Sequence, residues 1–210
     1  MPLNRTDVVV AAVALADEIG IDRLTMRRLG EALGIEAMSL YNHVANKDDL
    51  LDGMIDAVFA EIELPANDTD WRTAIRARSV SVRAVLAQHR WAIGLMDSRA
   101  TPGAATLRHH DAVIGCLRAA GFSVQLTARA FSVIDSYVYG FVLQERGLPF
   151  DDADNAAEIA QEMLARFPVD QFPHLAEFAA EHVQPGYDYG AEFELGLDLV
   201  LDGVAAMLTT

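Results

Sequence analysis

Cysteine is nearly absent from this 210-residue chain, where Cys116 stands alone. That excludes an intrachain disulfide and any zinc site built from several cysteines, and it fits a reducing compartment. Cys116 itself reads as a small buried hydrophobe on an apolar helix. Basic residues are scarce too, 16 Lys and Arg against 31 Asp and Glu, for a formal net charge of -15. A broad basic surface for coating nucleic acid or anionic lipid is thereby excluded, but a small local basic patch is not. No apolar run approaches the roughly 20 residues that span a bilayer, so no membrane partner is expected. The stretch VVVAAVALA (8–16) follows Arg5 and ends on the leader-like Ala14-Leu15-Ala16. Asp7 cancels the charge of Arg5, however, and the helical pattern runs on through Ile19 to Gly20. A helix of the folded protein is expected there rather than a secretory leader, and the location is expected to be cytoplasmic.

Apolar residues are plentiful at 52%, enough for a sizeable core. Their spacing is helical nearly everywhere. Val9, Ala12, Val13 and Ala16 form one face of a first helix that Gly20 stops. Thr25 can cap a second helix carrying Leu29, Ala32 and Leu33 on one side, and Gly34 ends it. Ile35 opens a third element with Leu40 and Val44 turned inward. Asn46 then caps a fourth helix with the stripe Leu51, Met54, Ile55, Val58 and Ile62, and Asp48 and Asp49 in its first turn. The break at 65–70 is the best domain boundary. Beyond it the pattern predicts helices near 71–88, 104–120, 124–146, 155–166 and 188–208, with a short extra one in 89–97. The fold class is all-α: a three-helix helix-turn-helix domain over 1–46, a connecting helix over 47–65, and a larger helical domain over 66–210.

The segment LTMRRLGEALGIEAMSLYNHVANKDDLL (24–51) carries the chemistry. Two helices joined by a tight glycine turn, the second presenting short polar side chains, describe a helix that can enter a DNA major groove. Asn42 can pair with adenine, Ser39 can meet base or phosphate, and Ala37 and Met38 can contact a thymine methyl. Lys47 opposes the dipole at the start of its helix, and a phosphate docked there would reverse that penalty. Tyr41 and His43 can add phosphate hydrogen bonds, and Arg27 and Arg28 supply charge. Local basicity is confined to Arg23, Arg27, Arg28 and Lys47. The plainer alternative is an ordinary glycine-linked helix pair in which Tyr41 packs on the core.

The opening G-I-D-x-L-T-x-R-x-L, the L-G-I turn and L-Y-x-H-V-x-N-K-x-x-L-L resemble the DNA-binding region of the TetR family of transcriptional regulators, from residue 3 to about residue 63. YVYGFVLQE (137–145) and FELGLDLVLDGV (193–204) more loosely resemble the C-terminal domain of the tetracycline-repressor branch. The resemblance implies base reading by Arg27, Ala37, Met38, Ser39 and Asn42, and phosphate contacts by Thr25, Tyr41, His43 and Lys47. Ala37, Met38 and Asn42 replace the Gln, Pro and Trp of that branch, which implies a different operator. It also implies a ligand sensor in the larger domain, for which Arg78, Val82, Trp91, Met96, Val113, Phe131, Asp135, Tyr139 and Gln144 are candidate pocket residues. The branch's magnesium-binding His and Glu fall at Met96 and Gln144. A thioether and an amide are poor replacements for charged oxygen ligands and water.

No metal or cofactor is expected. His109 and His110 are adjacent, so on a helix they diverge by about 100° and cannot face one ion. His109, His89 and Glu145 could meet only through the tertiary fold. The last helix carries Phe193, Leu197, Val200, Val204 and Met207 at alternating steps of four and three, a seam suited to another helix, and a two-fold dimer through the helices near 124–146 and 188–208 is expected. Gly196 and Gly203 cost about 1 kcal/mol each in a helix interior, which close approach of a partner backbone would explain. Burial within one subunit is the alternative for that seam. The expected function is a ligand-responsive repressor that binds a palindromic operator as a homodimer and is released by a small-molecule effector. The alternative is a helical ligand-binding or scaffold protein without DNA binding. No nucleophile–base pair, phosphate loop or strong metal motif supports an enzyme.

Overall fold

The computed structural model describes residues 3–96, 101–148, 158–159, 162, 165–166, 168, 170–182 and 187–208. All regular structure among them is helical. The head contains α1 (Arg5–Ile19), α2 (Met26–Leu33) and a six-residue 3-10 helix, Ala37–Asn42. α3 (Lys47–Glu61) leads out of it into α4 (Trp71–Gln88), α5 (Ile93–Met96), α6 (Ala104–Ala119), α7 (Val124–Arg146), α8 (Pro173–His182) and α9 (Glu192–Ala206). The helix expected near 155–166 lies largely outside the described residues. No helix among them is long and apolar enough to cross a membrane.

Local chemistry explains most of the boundaries. Asn4 and Asp7 form a reciprocal capping box at the start of α1, each side chain accepting the other's backbone N–H at 3.1 and 3.0 Å. Asp7 is thus a cap, and Arg5 pairs instead with Asp49 of α3 at 2.8 Å. Thr25 caps α2 through the N–H of Arg28, and Asn46 caps α3 through the N–H of Asp49. Gly34 ends α2 at φ +68°, a left-handed conformation that favours glycine.

Three expectations are corrected. The third element of the head is not an α-helix: the N–H of Ser39 donates to Glu36 and that of His43 to Leu40, i→i+3 bonds of a short 3-10 run. Only Leu40 is buried within it, so there is no long apolar stripe to favour further α-turns. Second, α8 is a helix where the periodicity predicts none. None of its residues is buried, so it lacks the inward stripe by which a helix is recognised.

The third correction concerns α9. Phe193, Leu197 and Val204 of the expected intersubunit seam are buried within the subunit, against α7 and α4, while Val200 and Met207 are half-buried. The hydroxyl of Tyr137 donates to the Phe193 carbonyl at 2.8 Å, and Arg83 lies 5.1 Å over the Phe193 ring. Gly196 makes room for Tyr137 of the same chain. The large apolar side chains that α9 does expose are Leu195 and Leu199, with Leu208 exposed just beyond its end.

Candidate nucleic-acid interface and ligand cavity

The head presents its small polar and aromatic groups outward. Leu40 and Val44 anchor the 3-10 helix in a core shared with Val8, Ala12, Leu29 and Met54. That anchoring turns Met38, Tyr41 and Asn42 to solvent, and leaves Ala37, Ser39 and His43 half-buried. Met38 is 74% exposed and Tyr41 44%, so Tyr41 does not pack into the core. Gly30 of α2 sets how closely the two elements approach. A Cβ there would lie 2.9 Å from the Ile35 carbonyl oxygen and 3.1 Å from the Ala37 nitrogen.

Basic groups flank this surface. Thr25, Arg27, Arg28 and Lys47 are all exposed. Arg27 makes a surface pair with Glu31 at 2.9 Å, a contact weak enough to be exchanged for a phosphate. Arg28 donates to the Arg23 carbonyl at 3.2 Å. Lys47, at the first position of α3, makes no hydrogen bond or ion pair among the described residues. A solvent-directed cation beside the free N–H groups of a helix start suits a phosphate.

A cavity of about 380 Å³ lies in the larger helical part, bordered by α3, α5, α6, α7 and the segment Thr101–Gly103. Met96, Phe131, Asp135 and Tyr139, four of the nine expected pocket residues, line it. Arg78 stands behind the wall, fully buried, with Nη1 donating to Asp135 at 2.7 Å and Nε donating to His109 Nε2 at 3.0 Å. His109 must therefore be neutral. Burial, the Arg78 charge and His110 push its pKa down to about 3. The pKa of His110, on the lining, is also lowered by burial, with Asp135 pulling the other way.

The remaining four are elsewhere. Val82 and Val113 are ordinary core residues. Trp91 donates from Nε1 to Asp17 at 2.7 Å, and Gln144 accepts from the Tyr189 hydroxyl at 2.7 Å. His109, His89 and Glu145 do not converge: they meet Arg78, the Asp17–Glu61 pair and Arg83 respectively. Asp52, Ile55 and Phe59 of α3 and Thr106 and His110 of α6 line the cavity without having been expected there. Asp52, Ile55 and Phe59 stand at i, i+3 and i+7, and Thr106 and His110 at i and i+4, so helical spacing puts each set on one face.

Two family models cover the chain: the bacterial regulatory proteins of the tetR family over residues 8–54, and the tetracyclin repressor-like C-terminal domain over residues 64–208. This chain belongs to the TetR family. It is 36% identical to an HTH-type transcriptional regulator of Saccharopolyspora erythraea, across 97% of this chain and 85% of that protein. It is 32% identical to the class A tetracycline repressor of Escherichia coli from transposon 1721, across 97% and 91%. Among solved structures it resembles the TetR family protein ActR of Streptomyces coelicolor in complex with actinorhodin. That match has a TM-score of 0.80 at 28% identity, with 98% of each chain covered. TetR-family members bind operator DNA as dimers and bind small-molecule ligands. They are regulators rather than enzymes, and this chain is a DNA-binding transcriptional regulator.

Proposed function

We propose that this TetR-family chain is a cytoplasmic repressor that holds a palindromic operator as a homodimer and releases it when a small molecule fills the cavity. The observation that carries this reading is the course of α3. Its first residue, Lys47, stands at the outward face of the head, and Asp52, Ile55 and Phe59, farther along the same helix, line the cavity. A rigid helix of 15 residues transmits a shift at one end to the other, so occupancy of the cavity and orientation of the head are mechanically linked.

In this reading residues 1–46 read DNA, 47–65 connect, and 66–210 take the ligand and the second subunit. Arg27, Ala37, Met38, Ser39 and Asn42 meet bases, while Thr25, Arg28, Tyr41, His43 and Lys47 hold phosphates. The outer faces of α7 and α9 meet the partner. The test is selection of bound duplexes from a random pool. An enriched inverted repeat, with half-sites about one helical turn or a multiple apart, is expected. A pool that stays random through successive rounds would sink the reading in favour of a ligand-binding protein without DNA.

A further inference from the structure

We infer that His89 is a proton-operated latch between the head and the larger helical part. Charged, it clamps Asp17 of α1 and Glu61 of α3 together on the end of α4; neutral, it lets Glu61 go, and operator affinity falls. The effect on the operator rests on reading the head as the part that binds DNA. The ring sits directly after α4, where its backbone N–H donates to the Val85 carbonyl at 2.9 Å. Only 2% of it is exposed. Nδ1 lies 2.9 and 3.0 Å from the two carboxylate oxygens of Asp17, and Nε2 lies 3.1 Å from Glu61 Oε2. The last turns of α1 and α3 and the end of α4 thus converge on one imidazole.

An imidazolium donates at both nitrogens, whereas a neutral ring turns a lone pair on one of the two acids. A buried ring has no water to relieve that contact, so once neutral it must part from one carboxylate. Asp17 is the fixed one, because it also accepts the Trp91 indole N–H at 2.7 Å and that donor does not titrate. Glu61 meets the ring through one oxygen, is 45% exposed and ends α3, so it can turn to water. Among the described residues, the charged groups facing the ring are these two acids. The Trp91 ring stands edge-on at 6.2 Å, and neighbouring Arg90 donates to the Arg146 carbonyl at 3.2 Å. Burial works against the charged ring, but the two carboxylates outweigh it and raise the pKa, so the latch opens only above about pH 6.5. With Glu61 released, α3 must be ordered as the operator binds, at a cost in affinity.

Fluorescence anisotropy at constant ionic strength, on a duplex enriched from a random pool, tests this with the full chain and its Glu61→Gln variant. A glutamine amide accepts from the charged ring or donates to the neutral one, so it keeps the latch closed in both states. Wild-type affinity is expected to fall about fivefold more than that of Glu61→Gln between about pH 6 and about pH 9. His43, at the DNA face, is common to both proteins, so only their difference reports the latch. Parallel curves, or a steeper fall in the variant, overturn the inference. Hydrogen exchange in the last turn of α3, corrected for the intrinsic rate at each pH, reads the latch without DNA. Protection there should drop with rising pH in the wild type and hold in Glu61→Gln, and equal protection overturns the inference as well. A pH-dependent drop of this kind in a chain that enriches no duplex at any pH refutes the DNA-binding head and leaves the latch standing.

Discussion

Asp56 of α3 accepts the backbone N–H of Thr106 at 2.8 Å and so caps α6 from another helix. It also takes the N–H of Ala105 at 3.2 Å and the Thr106 hydroxyl at 3.0 Å. The residue in the capping position is Gly103, which has no side chain to offer. A carboxylate from α3 therefore satisfies donors that α6 cannot satisfy itself, at the positive end of its dipole. Thr106 also lines the cavity. One side chain thus ties the cavity wall to the helix that enters the head.

Asp56→Ala should cost about 0.5–2 kcal/mol of stability, the usual range for a lost helix cap. It should also reduce the coupling between cavity occupancy and operator affinity. Urea melts and fluorescence anisotropy on a labelled operator measure the two. A variant that loses stability but keeps full ligand response would remove Asp56 from the coupling path.

Lys47→Ala should weaken binding to every duplex about equally and lower the salt slope by about one unit, as expected for one lost phosphate contact. Asn42→Ala should instead relax preference at one base position, at a cost of about 1–3 kcal/mol. Retardation across a salt series and a set of single-base operator variants distinguishes them. Wild-type behaviour from both would remove the 3-10 helix from DNA reading.

His89 gives the protein an alkaline limb. Its Nδ1 lies 2.9 Å from Asp17 of α1 and its Nε2 3.1 Å from Glu61 of α3, so both nitrogens donate only when the ring is protonated. Burial works against the charge, but the two carboxylates outweigh it and the pKa is raised. The folded value lies above the unfolded one, so this stabilisation is full below about pH 6.5 and lost as pH rises through the folded value. His109 acts in the opposite sense. Its folded pKa of about 3 makes its contribution full above the unfolded value and lost as pH falls. Thermal melts from acid to alkaline pH should therefore show two limbs, and His89→Gln should flatten only the alkaline one. An alkaline limb that survives in the variant belongs to other groups.

Leu199 is 67% exposed and Leu195 62% on the outer side of α9, with Val133 and Leu143 exposed on α7. Burying these apolar groups against a second subunit favours a dimer. Leu199→Glu should shift sedimentation equilibrium at micromolar concentration toward the 22.9 kDa chain and weaken operator binding, although it lies far from the head in sequence. A wild-type chain that already sediments as the single subunit would refute the dimer.

Magnesium-dependent tetracycline binding should be absent. Met96 lines the cavity, but Gln144 is not among the lining residues and is engaged by Tyr189, so neither position supplies a charged oxygen to a metal there. Calorimetry with tetracycline and Mg²⁺ should give a flat trace; micromolar binding abolished by EDTA would reverse this conclusion.

What could be read along the chain is what depends on near neighbours. The limits of α4 and α7, the caps Thr25 and Asn46 and the glycine turn at Gly34 all follow from residues within a few positions, because helix periodicity and capping act over one or two turns. The outward Met38, Tyr41 and Asn42 were legible for the same reason: Leu40 and Val44 leave them only one side to face. Direction across the fold was not legible. A stripe such as Phe193, Leu197 and Val204 is apolar whether it meets its own subunit or another, and only the approach of Tyr137, Phe141 and Arg83 from distant helices decided that it turns inward. The cavity was hidden likewise, since Asp52 is a polar residue on an exposed-looking stretch until α6 and α7 fold beside it. Sequence determined the helices and the polar face of the head, because both are local. Tertiary structure decided which apolar face is core and which residues line the cavity, because packing between distant segments sets those.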